Sequence, residues 1–131
     1  MKKAFEIAKG LMAYDFALPV AYQNKKFKGE QIAEWANMFI EDYGMFHMIS
    51  IDKRKIKSEH DLIESFLHEL VHAIQYETKR DVDHAEFFCK YVAYFRKLGY
   101  NIESADCDLN LIIKAIENEN ETNENTKTRI Y

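Results

Sequence analysis

The chain has 131 residues, 47% of them hydrophobic, with one proline and a formal net charge of −4. That length supports one domain with a core of its own, and the composition excludes a disordered or collagen-like chain. The negative balance excludes a global attraction to nucleic acid, and no apolar run reaches the length of a membrane span.

Residues 2–14 place Phe5, Ile7, Ala8, Leu11 and Met12 at helical spacing and predict an amphipathic first helix. The chain opens Met1-Lys2-Lys3, but Glu6, Lys9 and Asp15 interrupt any apolar stretch, so no signal peptide is expected. Pro19-Val20-Ala21-Tyr22 reads as a short strand with proline at its start, where the missing N–H does least harm. Asn24 to Gly29 is a polar turn. Residues 31–42 carry two patterns. Ile32, Trp35, Ala36 and Phe39 fit a helix, whereas Asn37 to Asp42 fit a strand that returns through Tyr43-Gly44. The hairpin is the better reading, because Met45-Phe46-His47-Met48-Ile49-Ser50-Ile51 is the clearest strand in the chain. At the edge of a sheet above a metal, this strand would accept an extended peptide as a further strand. His47 is expected as a partly exposed surface histidine.

Ser58-Glu59-His60-Asp61 reads as a helix start, with Ser58 as N-cap and Asp61 as the acidic partner of a capping box. Leu62, Ile63, Phe66, Leu67, Leu70, Val71 and Ile74 follow at helical spacing and form a core-facing stripe. Beside that stripe stands His68-Glu69-Leu70-Val71-His72, an HExxH string. Positions i and i+4 share a helix face, so both imidazoles can reach one ion. Glu69 sits about 100° around the helix, where its carboxylate can hold a water without binding the metal. Tyr76, Tyr91 and Tyr94 are the nearest oxyanion donors by sequence, and each reads first as a packing aromatic.

A third ligand must come from another element. His84 follows twelve positions after His72, and Asp83 is expected to cap a helix that opens His84-Ala85-Glu86. Asp81, Asp83 and Glu86 are the oxygen alternatives. Phe87, Phe88, Tyr91, Val92, Phe95 and Leu98 continue that helix, and Gly99 is placed to stop it. Three imidazoles with one open position describe a catalytic site, since structural sites close all four positions with protein. Other HExxH classes fit less well. One would need glycine at 75 and histidine at 78, where the chain has Gln75 and Thr78; another needs histidine at 76, which is Tyr76. Glu103 lies beyond Gly99 in a predicted loop, a poor position for a downstream glutamate ligand.

Cys89 and Cys107 form neither a disulfide framework nor a CxxC site; Cys89 is expected as a buried thiol in a reducing compartment. Two basic clusters, Lys25, Lys26, Lys28 and Lys53, Arg54, Lys55, Lys57, read as solvated turns, with a phosphate-tracking rim as the functional alternative. A last helix is predicted over 108–118, using Leu109, Ile112, Ile113 and Ile116. Beyond it, residues 119–131 read as a polar mobile tail, too poor in apolar side chains to offset ordering entropy.

His68-Glu69-Leu70-Val71-His72-Ala73, followed by His84-Ala85-Glu86-Phe87-Phe88, resembles the SprT-like (Spartan-type) zinc metallopeptidase domain over roughly residues 36–100. The resemblance matches His84 to the family's third metal ligand, Phe88 to its aromatic and Glu69 to its catalytic glutamate. Ala85 stands where the family usually has glycine, and no zinc ribbon follows. It implies a compact SprT-like, zincin-like domain, and the order of patterns over 1–118 predicts a mostly helical α+β fold with a small antiparallel sheet beside the HExxH helix. The expected function is a zinc-dependent endopeptidase acting on protein substrates, DNA-associated proteins among them, in the cytoplasm of a bacterium or of a phage-infected host. The expected site is His68, His72 and His84 holding Zn2+, with Glu69 as general base. The alternative is a non-catalytic, zinc-stabilised binding module acting on a host or partner protein; Glu69 speaks against it, since a purely structural site has no use for that carboxylate. A zinc hydrolase acting on non-peptide amides is a third reading.

Overall fold

Phe5, Tyr22 and Phe66 pack ring against ring, with centroids 4.6, 5.3 and 5.7 Å apart, and join three elements in one core. They come from α1 (Lys2–Met12), β1 (Val20–Asn24) and α2 (Glu59–Glu77). The computed structural model describes residues 1–103 and 107–118. Its other elements are β2 (Ala33–Ile40), β3 (Gly44–Ile51), a 3-10 turn at Lys53–Lys55, α3 (Glu86–Lys97) and α4 (109–118). The fold is α+β, as the order of patterns predicts. By contacts the chain divides into two units, Met1–Val82 and Asp83–Tyr131. The polar tail expected at 119–131 lies outside the described residues.

In the first unit the sheet runs β1-β3-β2. The hairpin reading of 31–42 holds: β2 pairs antiparallel with β3, Trp35 opposite Ile49 and Asn37 opposite His47. The expectation of an antiparallel sheet does not, because β1 lies parallel to β3, Val20 opposite His47. The physical cause is the segment 25–32, which crosses the end of β3 to deliver β2 to its far side. Lys25 N–H bonds Ile51 O at 2.9 Å, and Asp52 N–H bonds Ile32 O at 2.8 Å. Lys55 Nζ donates to the carbonyls of Phe27, Gly29 and Gln31 at 3.0, 2.7 and 2.8 Å. Asp52, fully buried, accepts from Phe27 N–H and from Arg54. Those contacts, the Arg54 bond foremost, hold its carboxyl well below the ordinary carboxylate range. Part of the basic clustering is therefore structural. β3 is also the central strand rather than an edge; the edges are β1 and β2.

The seven stripe residues of α2, from Leu62 to Ile74, are all buried. Burying a ring the size of Phe66 is worth about 2–3 kcal/mol. Ser58 Oγ accepts from Asp61 N–H at 3.1 Å, while the Asp61 carboxylate reaches back to Lys57 N–H, one residue beyond the expected capping-box partner. The helix ends in a Schellman motif: Arg80 N–H bonds Gln75 O, Lys79 N–H bonds Tyr76 O, and Lys79 takes φ 59°. A lysine in that left-handed position is strained, so Lys79→Gly should raise stability by about 0.5–1 kcal/mol, read as a shift in urea midpoint.

In the second unit α3 begins at Glu86, with Ala85 as N-cap, and not at His84. The Asp83 carboxylate is occupied by Ala85 N–H at 3.1 Å, so it closes a local turn ahead of the helix instead of capping it. Gly99, at φ 89°, ends α3 as expected, with Tyr100 N–H on Phe95 O and Gly99 N–H on Arg96 O. Cys89 is buried, and burial pushes its thiol up to about 11. The Asp108 carboxylate receives Asn110 N–H at 2.9 Å at the start of α4.

Candidate metal centre

The capped start and buried stripe of α2 fix which way its polar residues point. His68 and His72, one turn apart, hold their rings edge to face with centroids 5.1 Å apart. His72 is buried and its Nδ1 lies 2.8 Å from Gln75 Oε1, also buried. An amide oxygen there takes the Nδ1 proton and leaves the Nε2 lone pair for a metal. Gln75, which argued against one HExxH class, thus orients the second ligand. Gln75→Leu keeps the volume and removes the acceptor, so metal affinity should fall about 10- to 100-fold in competition with a chromophoric chelator, with the fold intact.

His84 lies on the segment between α2 and α3, its ring edge-on to Phe88 at 4.7 Å. Its ligand nitrogen and those of His68 and His72 all lie within 4.8 Å of one another. Nitrogens bound tetrahedrally at about 2.1 Å from one ion stand roughly 3.4 Å apart, so a small closing of the rings suffices. The three histidines are close enough to bind a metal ion, and the donor set fits one: three nitrogen ligands, one with its tautomer fixed by a buried amide. Among the described residues no second cluster of this kind occurs, and the oxygen alternatives Asp81, Asp83 and Glu86 do not join this one.

Glu69 is buried beside His68, and the main chain of Trp35 faces its carboxylate. Burial pushes its carboxyl up to about 8; Glu34 adds to the rise and the Trp35 N–H opposes it. A cation on the neighbouring imidazoles would favour the carboxylate again. The contact also sets Glu69 against the rim of the sheet. In an antiparallel ladder a residue either exchanges both main-chain bonds with its partner or makes neither. Asp52 N–H bonds Ile32 O, so the even-numbered residues of β2 bond β3, and the N–H of Trp35 points outward with Ala33, Asn37 and Phe39 on the same outer line.

The sequence reading missed one cluster. His47 is fully buried, not a surface residue. Trp35 Nε1–H donates to its Nδ1 at 3.0 Å, which leaves Nε2 to donate to Glu77 Oε2 at 2.7 Å. Glu77 also accepts from Tyr14 Oη–H at 3.1 Å and from the N–H groups of Ala17 and Leu18 at 2.8 and 3.1 Å. One signal was available: Glu77 is an acid in the last turn of a helix, where the dipole disfavours negative charge, so a tertiary partner must hold it. Tyr76 packs against Trp35 and donates to Asn37, a packing role as expected.

No family model, curated protein or solved structure matches this chain, so the reading of the site stands on its own chemistry. Among the described residues no helix is long and apolar enough to cross a membrane.

Proposed function

We propose that this chain is a zinc-dependent endopeptidase of the SprT-like kind, hydrolysing peptide bonds in protein substrates. The observation that carries the reading is the convergence of His68, His72 and His84 beside the buried carboxylate of Glu69. Zinc is the ion that suits three imidazoles with an open position. Bound there, it would acidify a water and polarise the scissile carbonyl. The remaining work falls to the chain. Glu69 takes the proton of the attacking water and hands it to the leaving amine, its carboxyl buried against the main chain of Trp35. The outer rim of β2 offers main-chain groups of Asn37 and Phe39 to an extended substrate, the role that β3, as the central strand, leaves open. Burial of the His68–His72 turn against the core keeps both ligands fixed while the substrate strand adds.

DNA-associated proteins belong to the proposal as a substrate class. Lys26, Lys28, Lys53 and Lys57 are exposed where the segment 25–32 meets the turn after β3, which supports contact with phosphates. The buried thiol of Cys89 fits a reducing compartment such as the cytoplasm.

The test is direct. The full chain, loaded with one equivalent of zinc, is incubated with unfolded casein, with and without single-stranded DNA, and followed by mass spectrometry. New fragments that vanish with a chelator support the reading. Stoichiometric zinc without hydrolysis would replace it with the binding module.

A further inference from the structure

The end of the β2–β3 hairpin is apolar on both faces and open to solvent. Met38, Phe39, Ile40, Tyr43 and Met45 are 42, 68, 48, 87 and 42% exposed. Phe39 stands opposite Met45 on the face that also carries Trp35 and Asn37; Met38 and Ile40 occupy the other face. A strand alternating apolar and polar would need only one such face. Two exposed apolar faces on a projecting hairpin have no use in packing the core, and a contiguous apolar surface of this kind marks a binding region.

Its place along the strand defines what it would receive. Asp52 N–H bonds Ile32 O, so the even-numbered residues of β2 are taken by β3, and pairing with an added strand runs through Trp35, Asn37 and Phe39 towards the hairpin end. Phe39 lies four residues from Trp35, roughly 13 Å at about 3.3–3.4 Å per residue. The same strand therefore carries, in continuous register, the residue that faces Glu69 and an apolar platform one short segment away. An incoming segment antiparallel to β2 puts its N-terminal side on that platform. Directly opposed side chains on paired strands sit about 4.5–5.5 Å apart and share a face, so both faces of the added strand meet apolar neighbours.

We propose that the hairpin end is a substrate subsite, built to receive an extended run of bulky apolar residues three to five positions before the cleaved bond. The substrate class is then the apolar segment that folded proteins bury and that unfolded chains expose. This deepens the peptidase reading and rests on it for the position of the cleaved bond, though not for the binding itself. Charge argues against two other occupants. Glu41 and Asp42 form the turn at the tip, which repels an anionic lipid surface. Pairing β2 with itself antiparallel would bring the Glu34 end towards Glu41 and Asp42 of a second copy, acid against acid.

The experiment separates binding from cleavage. Fluorescence anisotropy is measured on the zinc-loaded Glu69→Gln chain with a labelled peptide containing four consecutive Leu, Val, Ile and Phe residues, and with a Ser/Gln peptide of equal length. At least tenfold tighter binding of the apolar peptide is expected, lost on adding Phe39→Asp. Phe39 is too exposed for that change to unfold the chain, and circular dichroism checks it. In the Glu69 chain, a peptide library should show apolar residues enriched at the third to fifth positions before the cleaved bond. Phe39→Asp should remove the enrichment. Equal binding of the two peptides overturns the subsite, as does enrichment that survives Phe39→Asp, or a dimer in analytical ultracentrifugation that Phe39→Asp disperses. Selective binding with no cleavage of any peptide upholds the subsite and sinks the peptidase reading instead.

Discussion

Replacing Glu69 by Gln should lower peptide cleavage by about a thousandfold or more, while metal content, fold and melting temperature stay close to those of the parent chain. A positioned acid–base group contributes about 10²- to 10⁴-fold, and the upper part of that range applies where one carboxylate serves both proton transfers. A thousandfold loss corresponds to about 4 kcal/mol of transition-state stabilisation. The substitution isolates that role because Gln keeps the shape and keeps an acceptor oxygen facing the main chain of Trp35. What it loses is the basic site. Burial already raises the Glu69 carboxyl to about 8, so a neutral amide of the same shape buries no more charge and should cost no stability. Zinc content by mass spectrometry, together with kcat and KM on one peptide, reads the outcome. A fall in kcat with KM unchanged assigns Glu69 to the reaction. An unchanged kcat excludes the role, and a fall in zinc content would make Glu69 a ligand instead.

The parts of this site that could be read from the sequence are those that one element supplies alone. HExxH on a helix is local geometry: Ser58 starts the helix, the apolar stripe sets its rotation, and His68, Glu69 and His72 then point where their spacing dictates. His84 needed more, because its meeting with the other two depends on a segment between helices; the residue type and its neighbourhood to Phe88 identified it, while the start of α3 did not fall where Asp83 suggested. Strand order was out of reach. Nothing in Val20–Asn24 marks parallel pairing, since the crossing segment is held by Asp52 and Lys55, which in sequence look like members of a charged turn. His47 was misread for the same reason. Alternation along β3 places it on the inner face with Ile49 and Ile51, but only its partners Trp35 and Glu77, distant in sequence, make burial of an imidazole acceptable.

That buried cluster leads to the second large effect: Glu77→Ala should destabilise the chain by about 3 kcal/mol or more in urea unfolding. The carboxylate accepts four hydrogen bonds, from His47, Tyr14, Ala17 and Leu18, and its side chain is only 4% exposed. Alanine leaves the His47 Nε2–H facing an apolar gap, and an unmet buried donor costs about 1–3 kcal/mol by itself. The pH dependence distinguishes this from simple loss of packing. Burial pushes the Glu77 carboxyl up, but the bonds from Ala17, His47, Leu18 and Tyr14 together outweigh it and hold the group below its ordinary value. A lowered folded value means the stabilisation is complete above the unfolded value, about 4.3, and drains away as pH falls through the folded one. Stability of the parent chain should therefore decline on acidification across that window, and the Glu77→Ala chain should decline less steeply. The consequence reaches the site through Trp35. Its indole is fixed by His47 and its main chain faces Glu69, so loosening the cluster should lower cleavage while zinc affinity, set by the histidines and Gln75, holds. Parallel acid limbs in the two chains would assign the loss to packing alone and detach Glu77 from the positioning of Glu69.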